Sequence, residues 1–145
     1  MLENYRALTR LRKRELERAE QALALVNARL DELERKRERL REEECSVGLP
    51  GRGRGADIAG VLAQKRTIQS ALKSLEAQID SLEAIKRERQ AELKTANIAY
   101  EQAKSIESKV LEEILKRERR RVQNALDEAA SQQFWRLNGA RKDPD

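Results

Sequence analysis

Four arginines and one lysine crowd the segment Lys116-Arg117-Glu118-Arg119-Arg120-Arg121, the densest positive run in the chain. Cations at that spacing bind anions, and two kinds compete for them. The phosphates of a nucleic acid are drawn to a net charge of +5, and the carboxylates of an acidic protein surface answer the same charges. A third reading is a solvated helix face, the commonest meaning of such a run. No aromatic ring interleaves the basic residues, as a platform for stacking bases would require. Elsewhere acids and bases alternate, as from Glu32 to Glu44. A protein surface is therefore favoured over nucleic acid.

Catalytic chemistry has little to work with. The chain has no histidine and one cysteine, Cys45, so neither a metal-ligand set nor a nucleophile with a paired base is expected, and no cofactor is called for. Cys45 cannot form an internal disulfide and reads as a small residue at a helix end. With 145 residues, 39% charged and 39% hydrophobic, and only two Tyr, one Phe and one Trp, the chain lacks the bulk for a globular core. It has the composition of a long helical element instead. No run of about 18 uncharged apolar residues suggests membrane insertion, and the start Met1-Leu2-Glu3-Asn4-Tyr5-Arg6 does not resemble a secretory signal. A cytoplasmic protein is the expectation.

The elements that must position the basic run follow from heptads. Leu2, Thr9, Leu16, Leu23, Leu30 and Arg37 recur every seven residues, each followed three residues later by Tyr5, Arg12, Ala19, Val26, Leu33 and Leu40. Only Thr9, Arg12 and Arg37 break the apolar character of this stripe, which is the seam of a coiled-coil helix. Pro50 with Gly48, Gly51, Gly53 and Gly55 makes continued helix costly. A second stripe then runs through Lys65, Leu72, Ile79, Lys86, Leu93 and Tyr100, with companions Ile68, Leu75, Leu82, Arg89, Ala96 and Ala103. Asp57 is expected to cap this helix. No proline interrupts it as far as Lys142, which allows a helix of about 80 residues, about 120 Å long.

The fold class is thus all-α: a two-helix antiparallel coiled-coil hairpin with a longer second helix. Its parts are a first helix over 1–45, a turn over 46–56, a paired stretch of the second helix over 57–103, an overhang over 104–137 and a frayed tail over 138–145, with Asn138-Gly139 ending the helix. Centring the pairing between Arg52 and Gly53 places Leu40 by Lys65, Leu33 by Leu72, Leu30 by Leu75, Val26 by Ile79, Leu23 by Leu82, Leu16 by Arg89 and Leu2 by Ala103. The block from Leu23 to Leu33 then holds the hairpin, each buried leucine or isoleucine contributing about 1.5 to 3 kcal/mol. From Arg12 to Ala19 the layers include Arg12, Lys86 or Arg89 and are softer. Beyond Ala103 the second helix has no partner left, and Ile106, Val110, Leu111, Ile114, Leu115, Val122 and Leu126 need cover. Their angles suit a surface broader than one helix. Pairing with a second copy is the alternative, which would make the chain a homodimeric adaptor.

The run Arg119-Arg120-Arg121-Val122-Gln123-Asn124-Ala125-Leu126-Asp127-Glu128-Ala129-Ala130 resembles the flagellar FliJ family, whose members end in a basic helix followed by a Gln-x-x-hydrophobic-Asp-Glu segment. Leu8-Thr9-Arg10-Leu11-Arg12 and Arg18-Ala19-Glu20 resemble both that family and its virulence counterpart, the SctO (YscO) stalk of type III secretion. The resemblance implies a two-helix coiled coil similar to the central shaft of a rotary ATP synthase. Such a stalk links the hexameric export ATPase to the cytoplasmic domain of the export gate, and some members handle export chaperones. It implies an ATPase side at Ile106, Val110, Ile114, Arg117, Arg119, Arg120, Arg121, Asp127 and Glu128, and a gate side at Leu72, Leu75, Glu76 and Ile79. The tip Gly51-Arg52-Gly53-Arg54-Gly55 and Phe134-Trp135 depart from the flagellar pattern and leave flagellar versus virulence use open. Phe134 and Trp135 read either as a partner anchor or as helix-end packing.

Overall fold

A computed structural model describes residues 1–48 and 55–141 of the chain. The rest of the expected turn and tail, residues 49–54 and 142–145, lies outside the described residues. The described residues form two helices, α1 over Leu2–Ser46 and α2 over Gly55–Arg141, with no strand among them. Neither helix contains proline, and threonines within them keep helical geometry by donating their hydroxyls backwards. Thr9, Thr67 and Thr95 bond the carbonyls of Tyr5, Ala63 and Ala91 at 2.9–3.0 Å. At the end of α1 the Val47 amide still reaches the Glu43 carbonyl at 3.1 Å, and the Ser46 hydroxyl donates to the same oxygen at 2.8 Å, so a carbonyl near the helix end is satisfied twice.

Two local expectations change. Asp57 lies inside the first turn of α2 rather than at its cap, where its carboxylate favours the positive end of the helix dipole. Asn138 and Gly139 do not end α2, which runs on through Arg141. A glycine stops a helix by turning left-handed, and no described glycine has positive φ.

The chain divides into two compact units, one of Lys13–Ala99 and one of Met1–Arg12 with Tyr100–Asp145. Within Lys13–Ala99 the helices are antiparallel: Arg41 meets Glu76 at 3.4 Å while Glu44, further along α1, accepts from Gln69 further back along α2. The core is a cluster of Leu30, Leu33, Leu75 and Ile79, with Val26, Leu40 and Leu82 packed against it. Every seam position named from the sequence in both helices is buried or half-buried. In the other unit Arg6 pairs with Glu107 at 3.8 Å, and Ala103 is buried.

The register differs from the expected one by a heptad. Centring on the glycines would carry Glu44 to Leu62 and Arg41 to Gln69. Glu44 accepts from Gln69 instead, and Arg41 reaches Glu76. Leu16 and Leu23 line one groove with Gln90, Leu93 and Asn97, about a heptad beyond their expected partners. The end unit shows the same shift, because Arg6 reaches Glu107 where pairing was expected to finish at Ala103. Shifted by one heptad, Leu33 falls by Ile79, Leu40 by Leu72 and Leu30 by Leu82. Lys86 and Arg89 then lie opposite Val26 and Leu23, so those softer layers sit there, and of the stretch from Arg12 to Ala19 only the Arg12 layer keeps a cation. Registers that differ by seven residues leave the seam unchanged, and the turn's midpoint was the wrong criterion for choosing between them.

A crosslink separates the two registers while leaving the leucine core intact. In a Cys45→Ser background, the pair Glu44→Cys/Gln69→Cys should join through a short bifunctional thiol reagent. Glu44→Cys/Leu62→Cys should not, because the two α2 positions are about 10 Å apart along the helix. The mobility of the crosslinked chain on a denaturing gel reads the result.

Candidate partner-binding surfaces of the second helix

The proposed gate-side residues divide by burial. Leu75 and Ile79 are core residues, at 6% and 2% exposure, and the hairpin would have to open before they could touch another protein. Leu72 is half-buried. Glu76 is the exposed member, and its carboxylate accepts from the Arg41 guanidinium. Both partners of that ion pair stand about half in water, so it contributes little to stability. Arg41→Ala should lower the unfolding free energy by less than about 1 kcal/mol, as measured by urea titration of the helical circular-dichroism signal.

The proposed ATPase-side residues lie on several faces of α2 in the Met1–Arg12 and Tyr100–Asp145 unit. Ile106, Val110 and Ile114 line an open groove together with Met1 and Tyr5 of α1 and with Lys109, Glu113 and Arg117. Met1 and Tyr5 are contributors the sequence reading left out. Their signal was the register: a pairing shifted by one heptad carries the start of α1 up to Val110. Continuing the seam beyond Val110 brings Ile114, Arg117, Arg121 and Asn124 to the heptad positions.

From Leu111 to Leu137 every side chain of α2 is exposed. The basic run separates into paired and unpaired cations. Arg117 pairs with Glu113 at 3.9 Å and Arg121 donates to Glu118 at 2.7 Å. Lys116, Arg119 and Arg120 have no hydrogen-bond or ion-pair partner among the described residues. Asp127 accepts from the Gln123 amide at 3.0 Å, and Glu128 is exposed. Phe134 and Trp135 meet edge to face, with ring centroids 6.4 Å apart. They remain 60% and 67% exposed, so packing against their own helix leaves most of both rings uncovered. Cys45 is an exposed free thiol. No described helix is long and apolar enough to cross a membrane.

Two antiparallel helices joined along a heptad seam, the second outlasting the first, define a coiled-coil hairpin, a class that works through the surfaces it presents. The chain belongs to the flagellar FliJ protein family, whose model matches residues 2–139. It is accordingly a component of the flagellar protein export apparatus, from a family of structural stalk proteins. The match takes in both segments that carried the resemblance, near Leu8 and near Arg119. No curated protein and no solved structure matches the chain.

Proposed function

We propose that this chain is the non-enzymatic central stalk of the export apparatus, cytoplasmic and peripheral to its membrane-bound part, coupling the hexameric export ATPase to the cytoplasmic domain of the export gate. The observation that carries this reading is the inequality of the helices. Apolar and cationic side chains of α2 stay exposed from Leu111 onward, while the seam behind them is closed. An arm of that composition serves the ATPase, through Ile106, Val110 and Ile114 on the groove face and through Arg117, Arg119, Arg120, Arg121, Asp127 and Glu128 beyond it. The closed hairpin serves the gate, with Glu76 and the half-buried Leu72 as the accessible contacts; Leu75 and Ile79 act by holding that surface in shape. Export chaperones are further candidate partners.

The test is simultaneous binding. Purified full-length chain mixed with the cognate ATPase and the gate's cytoplasmic domain should co-elute with both in a single complex. A chain that binds only one of them is not a coupling stalk.

A further inference from the structure

The apolar residues of the arm sort into two sets once the groove at Met1 and Tyr5 has taken Ile106, Val110 and Ile114. What remains is one narrow stripe. At 100° per residue, Leu111, Leu115, Val122, Leu126 and Leu137 fall within an arc of about 80° centred on Leu115, and all of them are exposed. A helix face that packs on a core is about 100° wide or more, whereas a narrower stripe is the seam for a single partner helix. The stripe also has its own period: Leu111, Val122 and Gln133 stand 11 residues apart, as do Leu115, Leu126 and Leu137. An 11-residue period winds paired helices in the opposite hand to a heptad seam, so the occupant is a helix with the same repeat. α1 has heptads. The segment that carries the matching repeat is this one.

Charge points the same way. Lys116 and Arg119 flank the stripe on one side and Glu118 flanks it on the other, with Glu118 and Arg119 bordering one surface hollow together with Leu115 and Val122. Lys116 and Arg119 have no ion-pair partner among the described residues, and Glu118 gives only its Oε1 to Arg121. We propose that the arm pairs, parallel and in register from Leu111 to Leu137, with the arm of a second copy of this chain. In a parallel pair each edge of one helix meets the opposite edge of the other, so Lys116 and Arg119 of each copy face Glu118 of its counterpart. Each leucine meets its own equivalent along about 39 Å of helix. Gln133, at the centre of the stripe, meets Gln133 of the second copy, and the two amides bond each other.

The antiparallel arrangement that covers both Leu111 and Leu137 has neither feature. It sets Gln133 against Leu115 and Arg119 against Ala129 and Ala130, where an amide and a guanidinium find no acceptor. A lipid surface suits an amphipathic helix whose aromatic residues share the apolar face, but Trp135 lies on the opposite side of α2 from Leu115. Nucleic acid would use the cations and leave the leucines uncovered. On the stalk reading a chain seated in the ATPase ring is single, because Arg119 belongs to both surfaces. The pairing itself needs no ATPase and stands apart from that reading.

The test is sedimentation equilibrium of the full chain in a Cys45→Ser background, with no ATPase present, so that its failure and the failure of the stalk reading are separate results. The chain should dimerise at micromolar concentration. Leu115→Ser/Val122→Ser should weaken association about tenfold or more, the loss expected when central anchors are removed. Glu118→Arg and Arg119→Glu should each weaken it, and Glu118→Arg/Arg119→Glu should restore most of it, because the swap rebuilds the same pairs with their signs exchanged. Asn124→Ser, on the opposite face, should associate as the unaltered chain does. The helical signal of every variant should be retained. Orientation is read from Gln133→Cys in the same background: a short bifunctional thiol reagent should link two copies, whereas the antiparallel pair would hold the two thiols about 27 Å apart.

A chain that stays monomeric to its highest soluble concentration, while folded by circular dichroism, overturns the proposal. A dimer that Leu115→Ser/Val122→Ser leaves intact also overturns it, because the contact then lies elsewhere, and a dimer that does not link at Gln133→Cys rules out the parallel register. Binding of a monomeric chain to phosphatidylglycerol-containing vesicles, lost in Leu115→Ser/Val122→Ser, would give the stripe to a membrane instead.

Discussion

Replacing Leu33 by alanine should cost about 2 to 5 kcal/mol of unfolding free energy, the range for removing a leucine side chain from a packed interior. Leu33 is 1% exposed, the most enclosed side chain among the described residues, and it sits in one cluster with Leu30, Leu75 and Ile79. With so few fully buried side chains, no second core compensates for the cavity. A domain of this size has about 5 to 15 kcal/mol in total, so the variant should melt far below the unaltered chain. Leu33→Asp should not fold, because a carboxylate placed there has no partner and no water. Leu25→Ala makes the useful contrast: the same chemistry at 72% exposure should shift the melting temperature little. Helical circular dichroism followed through thermal and urea unfolding measures all three. Equal effects at Leu33 and Leu25 would mean that the seam is not what holds the helices together.

Removing residues 111–145 should have the opposite pattern, with the hairpin kept and partner binding lost. The ion pair between α1 and the far part of α2 joins Arg6 to Glu107, Val110 is half-buried beyond it, and the groove shared with Met1 and Tyr5 loses only its exposed end at Ile114 and Arg117. Everything further along contributes helix but little burial against α1. The shortened chain should therefore unfold at nearly the same urea concentration as the full one. It should no longer bind the export ATPase or change its rate, because the leucines from Leu111 onward and the unpaired Lys116, Arg119 and Arg120 go with the removed arm. A shortened chain that still stimulates the ATPase fully would move the contact to the hairpin.

The seam was legible because period carries it. In a chain so rich in charge, leucines at Leu16, Leu23 and Leu30 can bury only one face, and every position so assigned is at least half-buried. The register was not legible from the seam, since sliding one helix by seven residues restores every a and d position. The information lay in the flanking charges. The glycine-centred register brings Arg41 to Gln69, which forms no ion pair, whereas the observed one brings it to Glu76, which does. On the arm, the types of Ile114, Leu115 and Val122 announced exposed apolar surface. Splitting them into a groove face, with Met1 and Tyr5, and a separate stripe required knowing where α1 stops. The gate-side residues show the reverse difficulty: Leu75 and Ile79 serve the core so completely that sequence alone could not divide core duty from partner contact. Gly139 misled in its own way. Its type suggested a helix end, and the absence of a left-handed turn there let α2 continue at the modest cost of a glycine inside a helix.

The most direct test of the stalk is the ATP hydrolysis rate of the cognate export ATPase, titrated with the purified full chain at fixed nucleotide. A stalk seated in the ring should raise the rate and saturate at one chain per hexamer. A rate unchanged at every concentration, with the chain folded by circular dichroism, would contradict the account.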